Sequence, residues 1–91
     1  MPYIPKSDRS EFEADIASIV NKLVSHDEND AKGKLNYIIF SICYQIVMRR
    51  GIRYFRLQDV YGTMTSCAAE FYRRVIGPYE DQAIEKNGDV L

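Results

Sequence analysis

The stretch LQDVYGTMTSCAAEFYRRVIGPY, residues 57–79, decides the fold. Its apolar side chains fall at helical spacings, which places them on one stripe of an α-helix that must face a core. They are Leu57, Val60, Tyr61, Met64, Ala68, Phe71 and Val75. Glu70 and Arg74 lie on the opposite face, four residues apart, which is the spacing of an ion pair on a helix surface. The pattern therefore predicts an amphipathic third helix.

Two glycines and a proline carry further information about this helix. Gly62 costs a helix interior about 1 kcal/mol relative to Ala, so close packing of another backbone or a bound ligand would explain it. Gly77 and Pro78 are predicted to end the helix, because Gly favours the left-handed terminal conformation and Pro lacks an amide hydrogen.

Two helices are predicted upstream. Residues 10–25 form the first, with the capping-box spacing of Ser10 and Glu13 at its start. Residues 34–50 form the second, which carries apolar side chains on two roughly opposite stripes. The first stripe is Leu35, Ile38, Ile39, Ile42 and Ile46; the second is Tyr37, Phe40, Tyr44, Val47 and Met48. A buried β-strand over residues 37–47 is the alternative, but the length and the Arg-Arg-Gly ending favour a helix.

The two stripes require two partners. We expect the first to pack on helices one and three. The second is either covered by the arm and tail or forms a subunit interface, and we favour an interface that includes the flank around Gly62. Residues 1–6 are predicted as an extended arm whose Tyr3 and Ile4 dock on the body or on a neighbour. Residues 26–34 read as a loop, residues 79–86 as a short fourth helix and residues 88–91 as a tail.

The composition predicts one all-α domain over residues 1–91, a small bundle of three main helices plus a short carboxy-terminal helix. The chain has 46% apolar and 27% charged residues, and a domain of this size often gains stability by forming homodimers or larger homo-oligomers. No apolar run of about 18 residues and no signal pattern occurs, so we expect a cytoplasmic protein without a membrane span.

The cysteines and the histidine offer little chemistry. Cys43 and Cys67 lie in apolar helical stretches and are predicted to be buried thiols, with a disulfide or a reactive site as the alternative. His26 is the only histidine. The sequence therefore predicts no metal site, no cofactor and no catalytic residue, and we expect a protein that is not an enzyme.

Charge is segregated along the chain. Residues 1–30 hold three basic and seven acidic side chains, residues 31–76 hold eight basic and two acidic, and residues 77–91 carry a net charge of −3. Such blocks either neutralise one another, within the fold or between subunits, or form a dedicated anion site.

The carboxy-terminal motifs EFYRRV (residues 70–75), PYED (78–81) and NGDV (87–90), together with LNY (35–37) and MPY (1–3), form a recognisable set. This combination resembles the signature of a small family of uncharacterised proteins from bacterial and bacteriophage genomes. The resemblance covers most of the chain outside the acidic loop and implies no assigned activity. A phage origin would imply interference with a host system.

Two arginine clusters are candidate ligand sites. Arg73 and Arg74 stand near Tyr79, and arginine forks bind phosphate or carboxylate and stack on aromatic rings. The alternative is that they pair with neighbouring acidic side chains and hold the tail on the body. The second cluster surrounds the connection between helices two and three, where arginines beside aromatic rings would hold a nucleotide. Its members are Arg49, Arg50, Arg53, Tyr54, Phe55 and Arg56.

These observations predict a non-enzymatic interaction protein that binds a host protein or sequesters an anionic small molecule such as a nucleotide. The alternative is a nucleic-acid-binding regulator. A helix-turn-helix fits poorly, because the connection is too long and the acidic blocks oppose binding to a phosphate chain.

Overall fold

The computed structural model describes residues 3–91, which form four helices joined by short connections. A 3₁₀ turn, Lys6–Asp8, precedes α1 (Ser10–Val24), α2 (Glu28–Arg50) and α3 (Tyr54–Phe71), and a π-helical turn, Tyr72–Ile76, leads into α4 (Gly77–Asn87). No strand occurs in this part of the chain. The all-α class is confirmed, and residues 37–47 are helical. The first two residues of the predicted arm lie outside the described residues.

Helix α1 agrees with its predicted bounds, but it begins without the capping box. Ser10 is the first helical residue, and Arg9 before it already has helical dihedral angles because it follows the 3₁₀ turn. No side-chain hydrogen bond caps this end. At the other end the Ser25 hydroxyl donates to the Lys22 carbonyl at 2.7 Å.

Helix α2 begins at Glu28 rather than at residue 34, so the predicted loop is wrong over most of its length. Asp27 is extended, with φ −57° and ψ 142°, and Glu28 and Asp30 occupy the first helical turn. Acidic side chains in a first turn are stabilised by the positive end of the helix dipole. Gly33 lies inside the helix with nothing near it. Gly51, at φ 98°, ends the helix as predicted.

Gly77 and Pro78 do not end the third helix, which corrects the prediction. Gly77 has right-handed helical angles, φ −55° and ψ −52°. Pro78 has no N–H to donate to the carbonyl four residues earlier, and its ring crowds that carbonyl. The helix responds by widening into a π turn, in which the Gly77 N–H donates to the Tyr72 carbonyl five residues earlier. The predicted fourth helix exists, but it continues the third.

Segments α3, the π turn and α4 therefore form one long helical rod. They contain 18, 5 and 11 residues, which at 1.5 Å per residue gives a length of about 51 Å. The longest dimension of the molecule is also 51 Å. Within the described residues α1 packs on α2 and α2 packs on α3, whereas α4 contacts only the π turn of its own chain.

The chain leaves its apolar surface largely uncovered. Val47, 5% exposed, is the only buried side chain among residues 3–91. The radius of gyration is 16.7 Å, whereas a compact domain of this length has about 12 Å. The accessible surface is 8276 Å², against about 5,400 Å² for a compact protein of the same mass. Roughly 2,800 Å² that a globular domain would bury remains accessible.

The two stripes of α2 are covered in a different way from the prediction. Helix α1 covers α2 around Ile38 and Ser41, and α3 covers it around Cys43 and Val47. The ridge between these two sides stays open, and its four residues are between 41% and 49% exposed. This aliphatic ridge consists of Leu35, Ile39, Ile42 and Ile46. Of the first stripe, Leu35, Ile38 and Ile42 line grooves shared with α1, and none lines the groove shared with α3. The expected packing on helix three is therefore wrong.

Candidate functional site

An apolar groove runs between α2 and α3. It encloses about 410 Å³, and none of the side chains that line it carries a charge. Helix α2 contributes Phe40, Cys43, Tyr44 and Val47, and α3 contributes Leu57, Gln58, Val60, Tyr61 and Met64. The rings of Phe40 and Tyr44 are stacked, with centroids 5.8 Å apart and planes within 10°. The α2–α3 groove is therefore suited to aliphatic or aromatic side chains rather than to an anion.

A second groove lies between α1 and α2 and encloses about 470 Å³. Its lining is mixed, since Lys22, His26, Lys34, Ser41 and Gln45 accompany the apolar residues. Together the two grooves leave both sides of α2 incompletely packed.

The predicted interface residues are distributed over several surfaces. Phe40, Tyr44 and Val47 line the α2–α3 groove, whereas Tyr37 lines the α1–α2 groove. Met48 is exposed and lies outside both linings. Gly62 is half-buried, and a Cβ built on it would meet no atom within 4 Å. No packing contact within residues 3–91 therefore requires a glycine at position 62, while a closely packed second chain would.

Arg56, predicted to bind a ligand, holds the connection between α2 and α3. Its Nη1 donates to the carbonyl of Arg50 at 2.5 Å and to that of Gly51 at 3.0 Å. Its guanidinium carbon lies 5.1 Å from the centre of the Phe55 ring, within the range of a cation–π interaction. A cation here stabilises the unpaired carbonyls and the negative dipole end of α2. The donors of Arg56 are thus occupied within the fold.

Arg53 and Tyr54 lie at the same connection but are more open. Tyr54 is exposed, and its hydroxyl accepts a hydrogen bond from Gln58 at 2.7 Å. The Arg53 guanidinium carbon lies 6.0 Å from the centre of the Phe55 ring, and the side chain has no hydrogen bond or ion pair within residues 3–91. Arg49 and Arg50 also lack side-chain partners in that range. Three unpaired cations therefore surround the end of α2.

At the π turn, Arg73 rather than Arg74 pairs with Glu70. Arg73 Nη2 lies 2.5 Å from Glu70 Oε1 and donates to the Tyr3 hydroxyl at 3.2 Å. The arm is thus docked on the rod, which sequence spacing alone did not specify. Hydrogen bonding from Tyr3, and then from Arg73, lowers the pKa of Glu70 because both donors favour the carboxylate. Arg74 is exposed without a partner among the described residues.

A second contact spans the π turn. The Tyr72 hydroxyl donates a short hydrogen bond to Glu80, and this bond raises the pKa of Tyr72 because it favours the protonated phenol next to a carboxylate. Tyr79, a predicted ligand residue, is exposed and makes no side-chain hydrogen bond in the described chain. Among the described residues no side-chain hydrogen bond or ion pair links Arg73, Arg74 and Tyr79 to one another.

The described residues contain no group of three His, Cys, Asp or Glu side chains placed to hold a metal ion. Cys43 is half-buried and Cys67 is exposed, and both are free. The prediction of two buried thiols is thus wrong for Cys67. No helix in residues 3–91 is both long and apolar enough to cross a membrane.

Comparison with known proteins gives one match. A family model described as Domain of unknown function (DUF6899) matches residues 1–90. The predicted resemblance to an uncharacterised family is thereby confirmed. No curated protein and no solved structure matches the chain.

Proposed function

The chain belongs to the DUF6899 family, and we propose that it is a non-enzymatic interaction protein whose uncovered apolar faces are completed by another polypeptide. The first such polypeptide is a second copy of the chain. The observation that carries this proposal is that Val47 is the single buried side chain among residues 3–91, while the accessible surface is 8276 Å².

The area of uncovered surface favours a polypeptide over a small ligand. Ligand pockets enclose about 300–1,000 Å³ and cover a drug-sized molecule. The accessible surface here exceeds that of a compact protein of the same mass by roughly 2,800 Å² per chain. Two chains that covered this excess on each other would bury about twice that area, which lies at the upper end of obligate dimer interfaces. The aliphatic ridge of α2 and the α2–α3 groove supply surfaces of the required apolar character.

The completed assembly would then bind its target, which we propose to be a protein of a bacterial host. This part of the proposal rests on the resemblance to proteins of bacterial and bacteriophage genomes, and it implies a phage-encoded protein acting in the cytoplasm. Interference by binding needs no catalytic group, and an exposed aromatic and arginine-rich surface is typical of protein interfaces.

A second candidate function is the capture of an anionic small molecule such as a nucleotide. It is favoured by Arg49, Arg50 and Arg53, whose side chains have no hydrogen bond or ion pair within residues 3–91. Of these, Arg53 lies 6.0 Å from the centre of the Phe55 ring. Arginine binds phosphate through paired hydrogen bonds, and an aromatic ring offers a surface for base stacking. Binding of a long nucleic acid is less favoured, since acidic residues dominate both ends of the chain.

The test of self-association is light scattering coupled to size-exclusion chromatography. We expect a mass that is a multiple of 10.5 kDa and that persists on dilution into the micromolar range. A compact particle with the mass of one chain would overturn the proposal.

A matched pair of glycine variants locates the contact. Gly62 and Gly33 both lie inside helices, and apart from the nearby backbone of its own helix a Cβ on either would meet no atom of residues 3–91 within 4 Å. Gly62→Ala should weaken association if a second chain packs there, whereas Gly33→Ala should leave it unchanged. Equal behaviour of the two variants would remove Gly62 from the interface.

The nucleotide candidate is tested by thermal unfolding with and without added nucleotides. Binding would raise the melting temperature, and Arg53→Ala would abolish that rise while Arg74→Ala would retain it. A loss of affinity that grows steeply with salt, seen with duplex DNA instead, would support the nucleic-acid alternative.

A further inference from the structure

We propose that α4 of one copy lies in the α2–α3 groove of a second copy, and that the exchange is reciprocal. This inference rests on the proposed self-association and names the segment and the surface through which it occurs.

The first step is that α4 packs against no other helix within residues 3–91. It carries apolar side chains at helical spacing, Tyr79, Ala83 and Ile84, which follow Ile76 of the π turn, and all but Ala83 are exposed. In the described residues α4 contacts only the π turn. An apolar stripe on a short helix needs a partner surface to be stable in water.

The second step is that α4 cannot fold back on its own groove. The groove occupies the amino-terminal half of α3, from Leu57 to Met64. Helix α4 begins 13 residues after Met64 on the same rod, which at 1.5 Å per residue is about 20 Å away. The Gly77 N–H to Tyr72 carbonyl bond and the Tyr72–Glu80 bond hold the rod continuous through the π turn. The α4 that enters a groove must therefore come from another copy.

The third step is the match of shape and charge. An amphipathic helix laid in an apolar groove is a common mode of recognition, and the groove has an uncharged lining. Asp81 and Glu85 of α4 have no ion pair within residues 3–91. The groove ends near the α2–α3 connection, where Arg49, Arg50 and Arg53 are unpaired. A partner's acidic α4 would bring carboxylates to these arginines, which would neutralise the charge blocks that the single chain leaves separate.

Reciprocal exchange closes the assembly. If each rod inserts its α4 into the groove of the other copy, a two-fold axis relates the two contacts and both grooves are filled. No unpaired α4 or empty groove then remains to bind a third copy. The groove residue Cys43 provides a native reporter, because it is a free thiol in the groove lining.

The experiment is disulfide trapping in the full chain with the exposed Cys67 replaced by Ser. Ile84→Cys places a thiol on the apolar side of α4, and Gln82→Cys, two residues earlier, places one about 160° around the helix from position 84. Mild oxidation should convert most of the Ile84→Cys protein into a covalent dimer on a non-reducing gel and little of the Gln82→Cys protein. Replacing Cys43 by Ser in the Ile84→Cys chain should abolish the dimer.

The alternative outcomes are separable. A dimer by light scattering without an Ile84→Cys crosslink would overturn this groove assignment and leave the proposed function standing. A disulfide within one chain would show that α4 folds back, and would overturn the exchange. A single-chain mass by light scattering would overturn the proposed function itself.

Discussion

Replacement of Arg56 by Ala should destabilise the fold, because Arg56 joins the end of α2 to the start of α3. Two hydrogen bonds are lost, to the carbonyls of Arg50 and Gly51, together with the stacking on Phe55. A hydrogen bond to a charged group contributes about 1.5–3 kcal/mol when buried. The bond to Gly51 is only partly buried and the bond to Arg50 is exposed, so we expect a total loss of about 1–2 kcal/mol in the free energy of unfolding.

Arg53→Ala is the matched control, since it removes the same type of side chain three residues away, and the Arg53 side chain makes no hydrogen bond in the described chain. Exposed substitutions of this kind change stability by about 0.5 kcal/mol or less. Urea unfolding followed by circular dichroism separates the two. With a slope of about 1–1.5 kcal/mol per molar urea for a domain of this size, Arg56→Ala should lower the midpoint by roughly 1 M.

Both variants must be compared at one protein concentration, because self-association makes the midpoint depend on concentration. Equal midpoints for Arg56→Ala and Arg53→Ala would refute the assignment of Arg56 to the fold. If Arg56→Ala also abolished a nucleotide-induced rise in melting temperature, Arg56 would again be a candidate ligand residue.

Three further predictions concern single side chains. Arg73→Ala should raise the pKa of Glu70 towards its ordinary 4.5, measured by NMR titration; because the folded pKa is lowered, the stabilisation from Glu70 is present above pH 4.5 and lost as the pH falls through the folded pKa. Glu80→Gln should lower the pKa of Tyr72 towards 10.0, seen as phenolate absorbance at lower pH, and an unchanged titration would contradict the contact. Gly33→Ala should raise unfolding stability by about 0.5–1 kcal/mol, and a lower urea midpoint would show that position 33 is crowded.

The helices could be predicted because their signals are local. The spacing of apolar residues in α1 and α3 and the Gly51 stop of α2 needed only neighbouring residues, and the structure confirms them. The start of α2 was missed since Gly33 and polar neighbours are typical of a loop. Six further helical residues formed because acidic side chains in the first turn interact favourably with the helix dipole.

The candidate sites were less predictable, because an arginine does not reveal its partner. Arg56 donates to the carbonyls of Arg50 and Gly51 at the end of α2, and Arg73 contacts the hydroxyl of Tyr3, seventy residues away along the chain. Contacts at such separations depend on where whole helices pack. Helical spacing predicted an ion pair between Glu70 and Arg74, whereas in the structure Glu70 pairs with Arg73.

By itself, the sequence determined that the chain is helical, where most helices lie and that α2 is apolar on too many sides for one partner. Those properties follow from the helical spacing of apolar residues and from the positive φ that a glycine at position 51 can adopt. Only the tertiary structure decided that Pro78 widens the rod instead of ending it, and that the ridge of Leu35, Ile39, Ile42 and Ile46 stays open. The reason is that coverage of a face depends on the directions in which α1 and α3 leave α2, which local spacing does not encode.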